Sequence, residues 1–123
     1  MTTLTALTAA LALAAAPAAP LPPPGIVDGA TAQLLVNAGA KVVDVRTPQE
    51  FAGGHLPGAL LLPHDQVEGR AAELGAKDRP ILLYCRSGRR TAVARAALLK
   101  LGFTAVYDLQ GIGNWPGPVV SGP

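Results

Sequence analysis

The run Pro80-Ile81-Leu82-Leu83-Tyr84-Cys85-Arg86-Ser87-Gly88-Arg89-Arg90-Thr91 passes from an unbroken apolar segment, through a short polar loop, into a helical pattern. A strand with one wet face alternates apolar and polar residues, so the continuous run at 80–84 predicts a strand covered on both sides. Residues 88–101 predict a long helix, with Val93, Ala96, Ala97, Leu98 and Leu101 on overlapping faces and Gly102 as its stop. Cys85 falls between the two, at the carboxyl end of the strand.

The flanking sequence repeats this alternation. Residues 41–45, 59–62 and 104–107 read as further short strands. Residues 30–38 read as a helix with Asp28 as N-cap and Gly39 as stop, and residues 65–74 as another ended by Gly75. Thr47-Pro48-Gln49-Glu50 has the form of a capping box, with proline at the first helical position, and Gly53-Gly54 ends that turn. Apolar strands separated by helices, without internal repeats, predict an α/β fold. The expectation is a parallel sheet of about four to five strands with helices on both faces. In such sheets ligands bind beyond the carboxyl ends of the strands.

A chain of 123 residues has room for one domain. The formal charge of +2 is spread too evenly for an electrostatic nucleic-acid binder, which would show a basic face interleaved with aromatics. With one cysteine the chain can form no internal disulfide and no cysteine–histidine zinc set. No cofactor or metal is expected, and no glycine-rich phosphate loop precedes a Lys-Ser/Thr pair. Cys85 is therefore either an inert core residue or a working thiol.

Residues 1–25 differ in composition. Residues 4–16 are uncharged and rich in Ala and Leu, too short for the roughly 20 residues that cross a bilayer but of the length of a secretory signal core. Ala16-Pro17-Ala18 offers a cleavage site before Ala19, although no Lys or Arg precedes the run. The expected organisation is a signal peptide at 1–18, a proline-rich linker at 19–25 and a domain at 26–123. Export to a periplasm or beyond follows, with a cytoplasmic location the alternative if the leader is a plain Ala/Pro tail. Without a charged face the leader is not expected to anchor the chain on a membrane.

Three effects converge on the sulfur of Cys85. The first N–H groups of the following helix have no partner within it, the helix dipole is positive at that end, and Arg86, Arg89 and Arg90 lie within five residues. Gly88 allows the backbone twist that turns successive amides inward as an anion nest. All of these favour thiolate, whereas an unperturbed cysteine with a pKa near 8.5 is only a few per cent ionised at neutral pH.

Cys85-Arg86-Ser87-Gly88-Arg89-Arg90-Thr91 resembles the active-site loop of rhodanese domains. Asp44-Val45-Arg46 with Glu50-Phe51 and Gly54-His55-Leu56-Pro57-Gly58-Ala59 is similar to that family's N-terminal signature, and 109–115 to its closing Gly-Gly-x-x-x-Trp element. The resemblance covers residues 26–115, most like the small periplasmic single-domain members. It implies a sulfurtransferase in which Cys85 takes the sulfane sulfur of thiosulfate and passes it to cyanide or a thiol. It further implies that the amides of Arg86, Ser87, Gly88, Arg89 and Arg90 hold the persulfide. The three arginines would bind the donor's charge, and Thr91, standing where the family commonly has serine, would hydrogen-bond the sulfur. Gln110 occupies the place of the family's first closing glycine. If that position needs positive φ, a side chain there costs roughly 1 kcal/mol or bends the turn.

His55 and His64 are expected to be structural, Asp44 and Arg46 to pair with each other and hold loops, and Trp115 to sit under the loops. A Cys85–His64 dyad has no support in the sequence, and neither has a serine triad. A cysteine phosphatase or arsenate reductase places an arginine six positions after its cysteine. Here that residue is Thr91, and Arg90 comes one position early, so the smaller loop suits a sulfur atom. A persulfide carrier or partner-binding module with little turnover is the other alternative.

Overall fold

The computed structural model describes residues 20–123, so the expected signal peptide lies outside the described residues. The elements are α1 (Gly29–Asn37), β1 (Lys41–Asp44), α2 (Pro48–Gly53), β2 (Leu60–Leu61), α3 (Val67–Arg70), β3 (Ile81–Cys85), α4 (Arg89–Lys100) and β4 (Val106–Gly111). Single 3-10 turns at His64–Gln66 and Ala71–Leu74 flank α3, and another at Ile112–Asn114 follows β4. The four strands form one parallel sheet in the order β2-β1-β3-β4. Ile26 adds a single parallel bridge to Asp108 at the β4 edge.

β3 lies in the interior of this order and all five of its residues are buried, as its unbroken apolar run requires. Period-2 alternation divides them. Leu82 and Tyr84 face a core with Ala32 and Leu35 of α1, whereas Ile81, Leu83 and Cys85 face a core with Ala94 and Leu98 of α4. The sheet is thus covered on both faces, and the sulfur of Cys85 belongs to the α4 side.

Local signals set most boundaries. Asp28 Oδ1 accepts the Thr31 amide at 2.8 Å to start α1. Thr47 Oγ1 accepts the Glu50 amide and Glu50 Oε1 accepts the Thr47 amide, both at 3.2 Å, completing the capping box of α2.

Three expectations are corrected. The helix read over 65–74 is broken into a 3-10 turn, one turn of α3 and a second 3-10 turn. Only Val67 and Leu74 of this stretch are buried, too narrow an apolar stripe to hold a continuous helix around Gly69. β2 pairs only through Leu60 and Leu61, short of the expected 59–62. The last strand runs over Val106–Gly111 instead of 104–107, continuing through two polar residues. Asp108 survives burial because its carboxylate accepts the Gln110 amide at 2.8 Å while its own amide donates to Gly25 O at 2.8 Å.

Both ends of the described chain lie against the sheet and its loops. Tyr107 donates its hydroxyl to Pro22 O at 2.7 Å, so part of the stretch read as a linker is tied to β4. His55 and Val120 exchange two backbone hydrogen bonds at 2.8 and 2.9 Å, and Gly122 donates to Ala52 O. Leu98 fixes α4 to the sheet with none of its surface exposed. Leu98→Ala should lower the unfolding free energy by about 2–5 kcal/mol, measured by urea denaturation.

Candidate active site

β3 delivers Cys85 to the carboxyl end of the sheet and α4 begins four residues later. Cys85 is 1% exposed, yet its sulfur is not isolated. Gly88 donates its amide to Sγ at 3.0 Å, and Thr91 Oγ1 lies 3.8 Å from Sγ while donating to Gly88 O at 2.9 Å. Gly88 takes φ +107°, in the left-handed region, which turns its amide toward the sulfur. Burial pushes the thiol up, but the amides of Thr91, Gly88 and Ser87 outweigh it and hold the pKa below the ordinary cysteine value. The foremost lowering influences are therefore neutral dipoles.

The arginines divide in role. Arg90 makes a two-armed ion pair with Glu50, at 2.7 Å to Oε1 and 3.0 Å to Oε2. Arg86 and Arg89 are exposed and form no ion pair among the described residues. Arg46 is buried, holding Asp44 through Nε and Nη2 and donating to Gly54 O at 2.6 Å. Arg86 and Arg46 also line an open cleft of about 480 Å³, together with Gln49, Glu50, Ile112 and Val119. The expected Asp44–Arg46 pair is thus present, whereas nothing in the sequence points to the Arg90–Glu50 pair. The capping box accounts for Glu50 locally, and no local pattern joins it to a residue forty positions away.

The histidines stand apart from the sulfur. His55 stacks on Phe51 with ring centroids 3.6 Å apart, and its Nδ1 lies 2.8 Å from Phe51 O, so it holds the turn after α2. Neither His55 nor His64 hydrogen-bonds Cys85. Tyr84 accepts the Leu56 amide at 3.0 Å, tying the 54–59 loop to β3. Trp115 packs on the α1-side core and donates Nε1 to Pro118 O at 3.0 Å.

The other wall of the loop is the end of β4. A register shift sets Asp108 opposite Leu83 but Gln110 opposite Tyr84, leaving Leu109 as the extra residue of a bulge. Gln110 has φ +70°, the one residue other than glycine with positive φ among those described. This conformation disfavours a side-chain-bearing residue by roughly 1–2 kcal/mol. Gly111, opposite Cys85, needs its hydrogen: a Cβ there would stand 2.6 Å from Arg86 O.

A parallel sheet ending in a Cys85 loop with the sulfur on backbone amides has close counterparts. The Rhodanese-like domain family matches residues 29–115. The chain belongs to this family. This rhodanese domain is 44% identical over 70 residues to a sulfurtransferase of Allochromatium vinosum, covering 57% of this chain and 64% of the relative, less than two thirds of its length. It is 38% identical over 82 residues to the thiosulfate sulfurtransferase GlpE of Stutzerimonas stutzeri, covering 65% of this chain and 72% of the relative. Its fold is similar to that of a rhodanese from E. coli solved with anions. The TM-score is 0.65 at 29% identity, over 68% of this chain and all of the other. Parallel sheet and flanking helices are thus those of the rhodanese fold.

Hydrogen bonds from Arg90, its largest influence, hold Glu50 down at about 2 from 4.5. A depressed carboxyl stabilises the fold above its unfolded pKa and loses that contribution as pH falls through the folded value. In urea denaturation, wild type should lose stability between about pH 4.5 and 2, whereas Glu50→Gln should start lower at pH 6 and change less over that window.

Proposed function

We propose that this protein is a thiosulfate sulfurtransferase working through a Cys85 persulfide. The observation that carries this reading is the Gly88 amide on a buried sulfur whose ionisation is favoured by loop dipoles. Relatives named sulfurtransferase and thiosulfate sulfurtransferase support it.

The Cys85 thiolate attacks the outer sulfur of thiosulfate. A new S–S bond forms as the old one breaks, and sulfite leaves with the electron pair. An acceptor nucleophile, cyanide or a thiolate, then attacks the outer sulfur of the persulfide. Cys85 leaves as thiolate with the bonding pair, and cyanide becomes thiocyanate. The amides of Ser87, Gly88 and Thr91 hold the charged sulfur without presenting a proton acceptor to it. Arg86 and Arg89 supply free positive charge for the donor's sulfonate, whereas Arg90 acts through Glu50, fixing the start of α4 against α2. Thr91 closes the loop by bonding Gly88 O.

Alternation between two substrates distinguishes this enzyme from a persulfide carrier, since both would take up sulfur but only the enzyme would release it rapidly. The phosphatase alternative lacks its arginine: the sixth residue after Cys85 is Thr91, and it is buried. We further propose export, on the strength of the 4–16 run alone. Sequencing the mature N-terminus tests this, with a start at Ala19 expected and a retained Met1 contradicting it.

Thiosulfate should leave the intact protein one sulfur atom heavier, and cyanide should restore the original mass with release of thiocyanate. An unchanged mass sinks the persulfide reading. Uptake without thiocyanate favours the carrier. Cys85→Ser should abolish both, and Arg86→Ala should raise KM for thiosulfate about tenfold, equivalent to ~1.4 kcal/mol of binding, with a smaller effect on kcat.

A further inference from the structure

Gln110 is held in a conformation that glycine would adopt more readily, and its side chain lies against the residue that touches the sulfur. A Cβ built on Gly88 would stand 3.1 Å from Gln110 Cβ, 3.4 Å from Cγ and 3.3 Å from Nε2. The Gln110 side chain therefore fills the space over the Gly88 α-carbon. Its backbone is secured from the other side, where the buried Asp108 carboxylate accepts the Gln110 amide at 2.8 Å. The next residue, Gly111, lies against Arg86 O. Both ends of the loop segment 86–88 are thus backed by consecutive residues of the β4 bulge.

We infer that Gln110 is a positioning residue that clamps Gly88 so that its amide stays on the Cys85 sulfur, in thiolate and persulfide forms alike. The persulfide part of this inference rests on the function proposed above, but the thiolate part does not. With glycine at 110 the Cγ and Nε2 atoms nearest the Gly88 α-carbon would be gone, and a residue with φ +107° and no side chain would be held on the other side by its carbonyl, which accepts from Thr91 Oγ1 and the Ala92 amide. The loop would sample conformations in which the amide leaves the sulfur. A buried sulfur deprived of that donor ionises less readily and shields its bound sulfur less well. The strained backbone at 110 is the condition for placing a side chain there.

The charged groups of the loop and of the elements packed around it are Arg86, Arg89 and Arg90, Glu50 on α2 through Arg90, the Asp44–Arg46 pair after β1, and Asp108 on β4. The substitutions at position 110 add or remove none of these charges, so a shift in Cys85 reactivity reports the loop. Three proteins are compared: wild type, Gln110→Gly, which relieves the backbone and opens the space, and Gln110→Met, which keeps a side chain of similar length. The first readout is the pH profile of Cys85 alkylation by iodoacetamide, with thermal unfolding run alongside to verify folding. For Gln110→Gly the midpoint should rise by about half a pH unit, a roughly threefold loss of thiolate in the rising limb, while Gln110→Met follows wild type. The second is the lifetime of the persulfide after donor removal, which should fall about threefold in Gln110→Gly if the same exposure governs its loss. A Gln110→Gly profile that superimposes on wild type overturns the clamp, as does Gln110→Met shifting as far as Gln110→Gly. Alkylation needs no sulfur donor, so a wild-type protein that gained no sulfur would end the function proposed above and leave this test intact.

Discussion

The hydrogen bond from the Gly88 amide to the sulfur of Cys85 joins the last residue of β3 to the cap of α4, and the surrounding architecture makes sense as what holds it. The sulfur of a buried cysteine cannot rely on water to favour its ionised form, so the donors must come from the protein. Backbone amides suit this task because they carry no charge to be neutralised and cannot swing away as a lysine or arginine can. They must still be aimed, and aiming depends on a left-handed glycine, a strand that ends in register and a helix that starts immediately afterwards.

Each of those requirements is met by a different part of the fold. β3 is buried between two strands and two helical layers, which fixes the height of Cys85 above the sheet. α4 is anchored beneath by Ala94 and Leu98 and tied at its first turn by Arg90 to Glu50. Glu50 is in turn fixed by the capping box of α2, so one carboxylate organises a short helix and restrains the sulfur loop together. An arginine so used has its charge committed to a carboxylate, whereas its neighbours Arg86 and Arg89 stay exposed and form no ion pair among the described residues.

The chain spelled out this arrangement unevenly. The unbroken run 81–84, the glycine after Cys85 and the Thr47–Glu50 spacing are local patterns with local causes, and the strand, the loop and the capping box appear where they point. The Arg90–Glu50 pair and the docking of Val120 on His55 join residues far apart in the chain, which no spacing rule reaches. The end of β4 is illegible for a different reason. Asp108 and Gln110 look like loop residues, and only the partners supplied by Gly25 and by the Asp108 carboxylate itself make them compatible with a strand. Helix 65–74 failed on burial: its composition permits a helix, but too few of its side chains reach the core to sustain one.

Position 110 joins these lines of reasoning. Glycine would meet the positive φ of the bulge without strain but would remove the side-chain atoms nearest the Gly88 α-carbon. Glutamine reverses both terms, accepting an unfavourable backbone to put three side-chain atoms against the loop. Asp108 makes that reversal sustainable, because its carboxylate fixes the amide of the strained residue at the edge of the buried strand. Strain of this kind persists only where neighbouring structure over-determines the residue, and such places cluster around chemistry. Here the over-determined residue lies one contact from the sulfur-binding amide, so what resembles a defect in the closing element becomes part of the wall that keeps that amide aimed.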